Sequence, residues 1–130
     1  MNNANKITDA EWKVMEIVWE NGQLKASKII EELSSKTSWN DKTIRTLIRR
    51  LVEKNILGVK KVRVNEFYAL ASKEECVKEV TQTFIKKIYK GSVGLLISNF
   101  VKEDKLTNED IDMLKQILKN REEDDKNKKV

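Results

Sequence analysis

The stretch NDKTIRTLIRRL, from Asn40 to Leu51, decides how this chain is interpreted. Wound at about 3.6 residues per turn, it separates apolar residues from basic residues and threonines. Asn40 is a typical N-cap, and Trp39 before it and Ile44 after it occupy hydrophobic-staple positions. The apolar stripe is Ile44, Leu47, Ile48 and Leu51, and the opposite face is Lys42, Thr43, Arg45, Thr46, Arg49 and Arg50. The stretch therefore predicts an amphipathic helix whose basic face is either merely solvated or in contact with an anionic partner.

Two more helices are predicted before this one. The pattern T-D-A-E, from Thr8 to Glu11, is a capping box, and Asn21-Gly22 supplies a left-handed stop. A second helix is expected from about residue 25 to residue 35, where apolar residues recur at helical spacing. The first helix is expected to bury Trp12, Met15 and Trp19, with Val14 and Val18 alongside.

The tryptophans have an alternative interpretation as base-stacking groups. Trp12 and Trp19 share the apolar stripe of the first helix, which favours a place in the core. Trp39 directly precedes the basic helix, so both a core position and a position against a DNA backbone fit it. The tryptophans alone therefore do not indicate nucleic-acid binding.

The hydrophobic period changes after the basic helix. Residues 56–70 are rich in Val, Ile, Phe and Tyr and predict two strands with a turn near residues 63–66. Three short helices followed by a hairpin predict a winged helix-turn-helix over residues 1–71. The predicted fold class is thus mainly α with a small β-hairpin, with a helical second domain to follow.

Residues 72–120 predict three amphipathic helices that lack the bulk for a good independent core. They are expected from Ser72 to about Lys90, from Ser92 to about Lys102, and from Thr107 onward, and residues 121–130 are expected to be disordered. The apolar faces need a second copy of the chain, so we expect a homodimer. The expected interface residues are Val77, Val80, Phe84, Ile88, Leu96, Ile97, Phe100, Ile111, Leu114, Ile117 and Leu118.

Composition excludes several classes of function. The net charge is +5, and residues 42–63 contain eight basic residues against Glu53 alone, so the positive field is local. Cys76 is the one cysteine and there is no histidine, so we expect no disulfide, metal site, cofactor or histidine base. Cys76 is interpreted as a packing residue, with redox sensing as the alternative.

No catalytic constellation is present, so we expect that the protein is not an enzyme. No apolar run is long enough to span or insert into a membrane, so we expect a cytoplasmic protein.

The basic helix and the hairpin together favour double-stranded DNA as the partner. Thr43, Thr46 and Arg50 share one exposed edge and are the predicted base-reading residues, because Thr offers a methyl and a hydroxyl and Arg offers a bidentate fork. The predicted backbone-contacting residues are Lys42, Arg45, Arg49, Lys60, Lys61 and Arg63. A winged helix used as a protein-interaction module remains the alternative.

With these motifs placed, the chain resembles the penicillinase and methicillin-resistance repressors (the BlaI/MecI family). The resemblance rests on ITDAEWKVMEIVWENG, SWNDKTIRTLIRRLVEKNIL, VRVNEFYAL and KGSVGLLISNFVKEDKLTNEDIDMLKQIL. It implies a homodimeric winged-helix repressor that binds an inverted repeat with TACA/TGTA-type half-sites upstream of β-lactam-resistance genes. It also supports Thr43, Thr46 and Arg50 as base readers.

The resemblance further implies an induction mechanism. Repressors of this family are released from DNA when a membrane β-lactam sensor triggers proteolysis at an Asn-Phe bond in the dimerisation domain. Asn99-Phe100 is that dipeptide here. The residues alone favour the alternative that Phe100 is simply the last core residue of its helix. A repressor of the same family that answers another signal is the remaining alternative.

Overall fold

The computed structural model describes residues 7–128 of the chain. The described residues form helices and one small antiparallel sheet, which confirms the predicted fold class. They divide into two compact units, one ending at Phe84 and the other beginning at Ile85. The elements are α1 (Asp9–Asn21), β1 (Leu24–Lys25), α2 (Ala26–Lys36), α3 (Asp41–Glu53), β2 (Leu57–Lys61), β3 (Asn65–Ala69), α4 (Lys73–Ile88), α5 (Val93–Lys102) and α6 (Asn108–Lys128).

Helix α1 begins with the predicted capping box. The Glu11 amide donates to Thr8 Oγ1 at 3.1 Å, and the Thr8 amide donates to Glu11 Oε1 at 2.9 Å. These bonds satisfy two backbone donors that a helix start otherwise leaves unpaired. At the other end Gly22 has a φ of +87°, which favours glycine.

The two tryptophans of α1 are only half-buried, so the expectation that the helix buries them is wrong in degree. Their rings meet edge to face with centroids 5.2 Å apart, and Trp19 Nε1 donates to the Ala71 carbonyl at 3.0 Å. Trp19 therefore covers the edge of the core, and Trp12 packs against Trp19. The buried face of α1 is formed by smaller side chains, namely Val14, Met15, Ile17 and Val18.

The sheet has one strand more than the predicted hairpin. Strand β3 lies in the middle, between β2 and the two-residue β1, and both pairings are antiparallel. Leu24 lies opposite Phe67, and both are partly buried against the core. Two residues are too few to show an alternating pattern, which is why the sequence did not reveal β1.

Helix α3 closes the core of the first unit. Its predicted cap is present, since Asn40 Oδ1 accepts from the Thr43 amide at 2.9 Å. Asn55, with a φ of +62°, follows the helix end. The predicted stripe of Ile44, Leu47, Ile48 and Leu51 is fully buried with residues of α1, α2 and β2.

The first compact unit extends further than residue 71, where we expected the winged helix to end. Cys76 in the second turn of α4 is fully buried, and its unit runs on to Phe84. The part of α4 up to Phe84 therefore belongs with the winged helix.

Residues 121–128, for which the sequence predicts a disordered tail, are helical in the structure. Helix α6 continues to Lys128, although this part has no apolar stripe. Arg121 and Asp125 pair at i,i+4 with 3.5 Å between Nε and Oδ1, and Gln116 donates to Asn120 at 3.0 Å. Side-chain pairs of this kind, together with strong helix formers, favour a solvated helix.

Candidate nucleic-acid interface

Helix α3 presents its polar face to solvent from a rigid base. Its four buried side chains contribute about 1.5–3 kcal/mol each relative to exposure, which opposes any rotation of the helix about its axis. Lys42, Thr43, Arg45, Arg49 and Arg50 are all exposed, and Thr46 is half-buried. The predicted basic face is therefore continuous and accessible.

The three predicted base-reading residues differ in what they present to solvent. Thr46 Oγ1 donates to the Lys42 carbonyl at 2.9 Å, so its proton is engaged within the helix. Thr46 consequently offers a methyl group and an accepting oxygen, which suits a thymine methyl or a base amino group. Thr43 and Arg50 keep their side chains exposed on the same edge.

Two of the three predicted phosphate-contacting residues of α3, Arg45 and Arg49, lie on the side of the helix nearest the sheet. Arg45 lines a cleft with Asn65 and Phe67 of β3, and Arg49 lines a neighbouring cleft with Val59 of β2. Arg49 also pairs with Glu53 at 2.9 Å, in a bridge whose side chains are 63% and 60% exposed. The structure thus brings Arg45 and Arg49 beside the wing.

The wing is the β2–β3 hairpin, and its basic residues are all exposed. Lys60 lies opposite Glu66 and Lys61 opposite Asn65, while Arg63 occupies the connecting turn. The ring of Tyr68 covers Gly58, where an added Cβ would lie 2.5 Å from the ring. A glycine at this position therefore leaves the space that the Tyr68 ring occupies.

A buried ion pair that the sequence did not reveal supports the base of α3. Lys54, the C-cap of α3, places Nζ 2.6 Å from Oε1 of Glu11 in α1, and Glu11 is fully buried. Burial raises the pKa of Glu11, but the hydrogen bonds from Lys54 and from the Thr8 backbone outweigh it and hold the pKa below its ordinary value. Glu11 is visible in the sequence as part of the capping box, but that pattern indicates only a local cap and not a pairing with Lys54.

In the second unit, the Asn99-Phe100 bond lies in the last turn of α5. The Asn99 carbonyl accepts from the Glu103 amide at 3.0 Å, and the Phe100 carbonyl accepts from Lys105 at 2.9 Å. Asn99 is half-buried and Phe100 is exposed. The bond is therefore held in helical geometry near a helix end.

The predicted interface residues form apolar surface on the single chain. Leu96 and Leu114 are half-buried, and the others are exposed to at least a third. Four further apolar residues of the second unit are also exposed, although the predicted interface does not include them: Val93, Leu95, Val101 and Met113.

Neither a metal cluster nor a membrane-spanning helix is found in residues 7–128. No three His, Cys, Asp or Glu side chains in this range are grouped to hold an ion. No helix in the range has the length and apolar character to cross a bilayer. Burial, and next to it the charges of Glu75 and Glu79, raises the pKa of the Cys76 thiol, which favours its unreactive form.

The fold and the basic face of α3 define a winged-helix DNA-binding protein. The structure is similar to the solution structure of the DNA-binding domain of the repressor BlaI, with a TM-score of 0.51 and 32% identity. That match covers 58% of this chain and 93% of the other.

The model of the family described as "Penicillinase repressor" matches residues 7–120. The chain is 37% identical over 118 residues to the methicillin resistance regulatory protein MecI of Staphylococcus aureus (strain N315), covering 90% of this chain and 96% of that protein. It is 39% identical to the penicillinase repressor of Staphylococcus aureus, covering 90% and 94%, and 32% identical to that of Bacillus licheniformis, covering 99% and 98%. The chain therefore belongs to the penicillinase repressor family.

Proposed function

We propose that this protein is a homodimeric transcriptional repressor that binds an inverted-repeat operator with TACA/TGTA-type half-sites in front of β-lactam-resistance genes. The observation that carries the proposal is the outer face of α3, which is basic, exposed and rigidly held by a buried stripe. Membership of the penicillinase repressor family supports the proposal that the regulated genes are β-lactam-resistance genes.

In this proposal Thr43, Thr46 and Arg50 read bases in the major groove. Arg45 and Arg49 hold phosphates on the wing side of α3, and Lys42 holds a phosphate beside the base readers. Lys60, Lys61 and Arg63 do the same from the wing. Contacts to phosphates add salt-dependent affinity but little sequence information.

The dimer forms through the apolar surfaces of α4, α5 and α6. Surfaces of this extent are unusual on a monomer in water, and a second copy of the chain buries them symmetrically. Ile117→Glu, with Lys119→Glu as the matched control on the same helix, tests the interface by sedimentation. We expect Ile117→Glu to be monomeric and Lys119→Glu to remain dimeric.

Induction proceeds by cleavage at Asn99-Phe100 after a membrane sensor detects a β-lactam. Cutting α5 separates pieces of the dimer surface, and the loss of bivalent binding lowers operator affinity by a factor of about 100 or more. In cells that carry the sensor, Asn99→Ala should prevent both the cleavage product and derepression. Normal induction of Asn99→Ala would remove this bond from the mechanism.

The decisive test measures binding to an inverted-repeat duplex and to a scrambled duplex at several salt concentrations. A specific repressor prefers the inverted repeat at every concentration, and its affinity falls steeply as salt rises. Equal weak binding to both duplexes would refute the proposal, and absence of binding to either would favour a protein-interaction module.

A further inference from the structure

An apolar cleft lies between α3 and the wing, with a volume of about 240 Å³. Arg45 and Arg49 stand along the α3 side of this cleft. Its apolar lining consists of Ala26, Ile48, Val52, Val59 and Phe67. The phosphate binding proposed above for the two arginines does not involve this apolar lining.

The cleft exists because the hairpin diverges from the helix. Leu57 at the start of β2 is 1% exposed, whereas Val59, on the same face of the strand, is 41% exposed. Val59 lies opposite Phe67 in the sheet, so the two side chains form one apolar wall. Ile48 and Val52 supply the facing wall from α3. A concave apolar lining with a few polar groups at its edge is typical of a small-molecule site.

The positive charges of Arg45 and Arg49 at the cleft are available to an anionic ligand. Within residues 7–128 Arg45 makes no salt bridge, and the bridge between Arg49 and Glu53 is exposed and correspondingly weak. The two guanidinium groups stand one helical turn apart on the same side of α3. Guanidinium groups bind carboxylates through paired hydrogen bonds, so the cleft complements an anion with an apolar body.

We propose that this cleft binds a small organic carboxylate with a flat apolar body. The carboxylate lies between Arg45 and Arg49, and the body packs against Val59 and Phe67. The second part of the proposal rests on the proposed function: since both arginines also hold DNA phosphates, the ligand and the operator compete. The chain thus contains a site at which an apolar anion lowers operator affinity.

The test uses 2-naphthoate as the probe and 2-naphthylmethanol as its uncharged counterpart, titrated calorimetrically into the full chain. We expect saturable binding of one naphthoate per chain and no measurable binding of the alcohol. Arg45→Gln should weaken naphthoate binding about 10-fold or more, because a charged hydrogen bond is lost. Arg50→Gln, which removes an equal charge on the other edge of α3, should leave naphthoate binding unchanged.

A second variant separates cleft binding from loss of fold. Val59→Phe fills the cleft without altering either arginine, and an unchanged circular dichroism spectrum verifies its fold. We expect Val59→Phe to abolish naphthoate binding. Binding that persists in Val59→Phe, equal binding of the alcohol, or equal effects of Arg45→Gln and Arg50→Gln would each overturn the site.

Competition between naphthoate and the operator is measured in a separate experiment from operator recognition. Saturating naphthoate should raise the Kd of the wild-type chain for the inverted-repeat duplex, while the alcohol should not. Naphthoate binding with an unaltered operator Kd would overturn the competition. Naphthoate binding by a chain that fails to recognise the inverted repeat without ligand would refute the proposed function and leave the carboxylate site standing.

Discussion

Lys54 Nζ lies 2.6 Å from Oε1 of Glu11, and this contact joins the end of α3 to the first turn of α1. The glutamate is fully buried, whereas 28% of the lysine side chain is exposed. Oε2 of Glu11 is buried without a hydrogen-bond partner among residues 7–128, so Lys54 is the main compensation for the buried charge. The pair therefore fixes the end of α3 relative to α1.

Removing one partner of this pair should be strongly destabilising. Lys54→Met leaves a buried carboxylate without its cation, and we expect a loss of about 3 kcal/mol in the free energy of unfolding. Arg49→Met, which breaks the exposed bridge to Glu53, is the matched control and should cost under about 0.5 kcal/mol. Urea unfolding of both variants measures the difference, and similar costs would show that Glu11 does not depend on Lys54.

The same pair predicts how stability depends on pH. Because the pKa of Glu11 is lowered by folding, its stabilising contribution is present above the unfolded pKa of about 4.3 and is lost as the pH falls through the folded pKa. Glu11→Gln should be less stable than the wild type at pH 6, and the gap should narrow as the pH falls below about 4. Urea unfolding from pH 6 to pH 3 tests this, and a constant gap would contradict the lowered pKa.

The helices were predictable because their caps and apolar stripes are formed by residues that lie close together in the sequence. The capping box at Thr8, the cap at Asn40 and the buried stripe of α3 are all formed within a few residues of chain. The pairing of Glu11 with Lys54 depends on tertiary packing, and neither residue is unusual in its own segment. Local patterns therefore predict helix α3 but not the ion pair that supports its end.

The parts that sequence reasoning missed are either too short or too polar to show a period. Strand β1 has two residues and is held by its partner β3. The end of α6 has no apolar face, so its sequence predicts a disordered tail, although Arg121 and Asp125 pair along the helix. The cleft beside Val59 arises from the angle between α3 and the hairpin, and no stretch of sequence encodes that angle alone.

Arg50 and Lys60 should differ in what their removal does to DNA binding. Arg50→Ala removes a proposed base contact, so discrimination at one base pair should fall by about 1–3 kcal/mol. Lys60→Ala removes a proposed phosphate contact, so all duplexes should bind more weakly by a similar factor and the salt slope should decrease by about one. Anisotropy titrations against the inverted repeat and its single-base variants measure both quantities. A uniform loss in both variants would contradict base reading by Arg50.

The rate of the proposed cleavage at Asn99-Phe100 should depend on the stability of α5. The bond is helical, and a protease needs the segment to open locally before it can cut. Gly94 lies inside α5, and a Cβ there meets nothing closer than Ser92 Oγ at 3.9 Å. Gly94→Ala should therefore stabilise the helix by up to about 1 kcal/mol and slow cleavage about 5-fold.

The same substitution at Gly91 should act in the opposite direction. Gly91 has a φ of +86°, so alanine is strained there even though the space around it is open. Gly91→Ala should loosen the start of α5 and accelerate cleavage. Both rates are measured by immunoblot after a β-lactam is added to cells that carry the sensor. Equal rates in the two variants would mean that opening of α5 does not limit cleavage at this bond, because their effects on the helix have opposite signs.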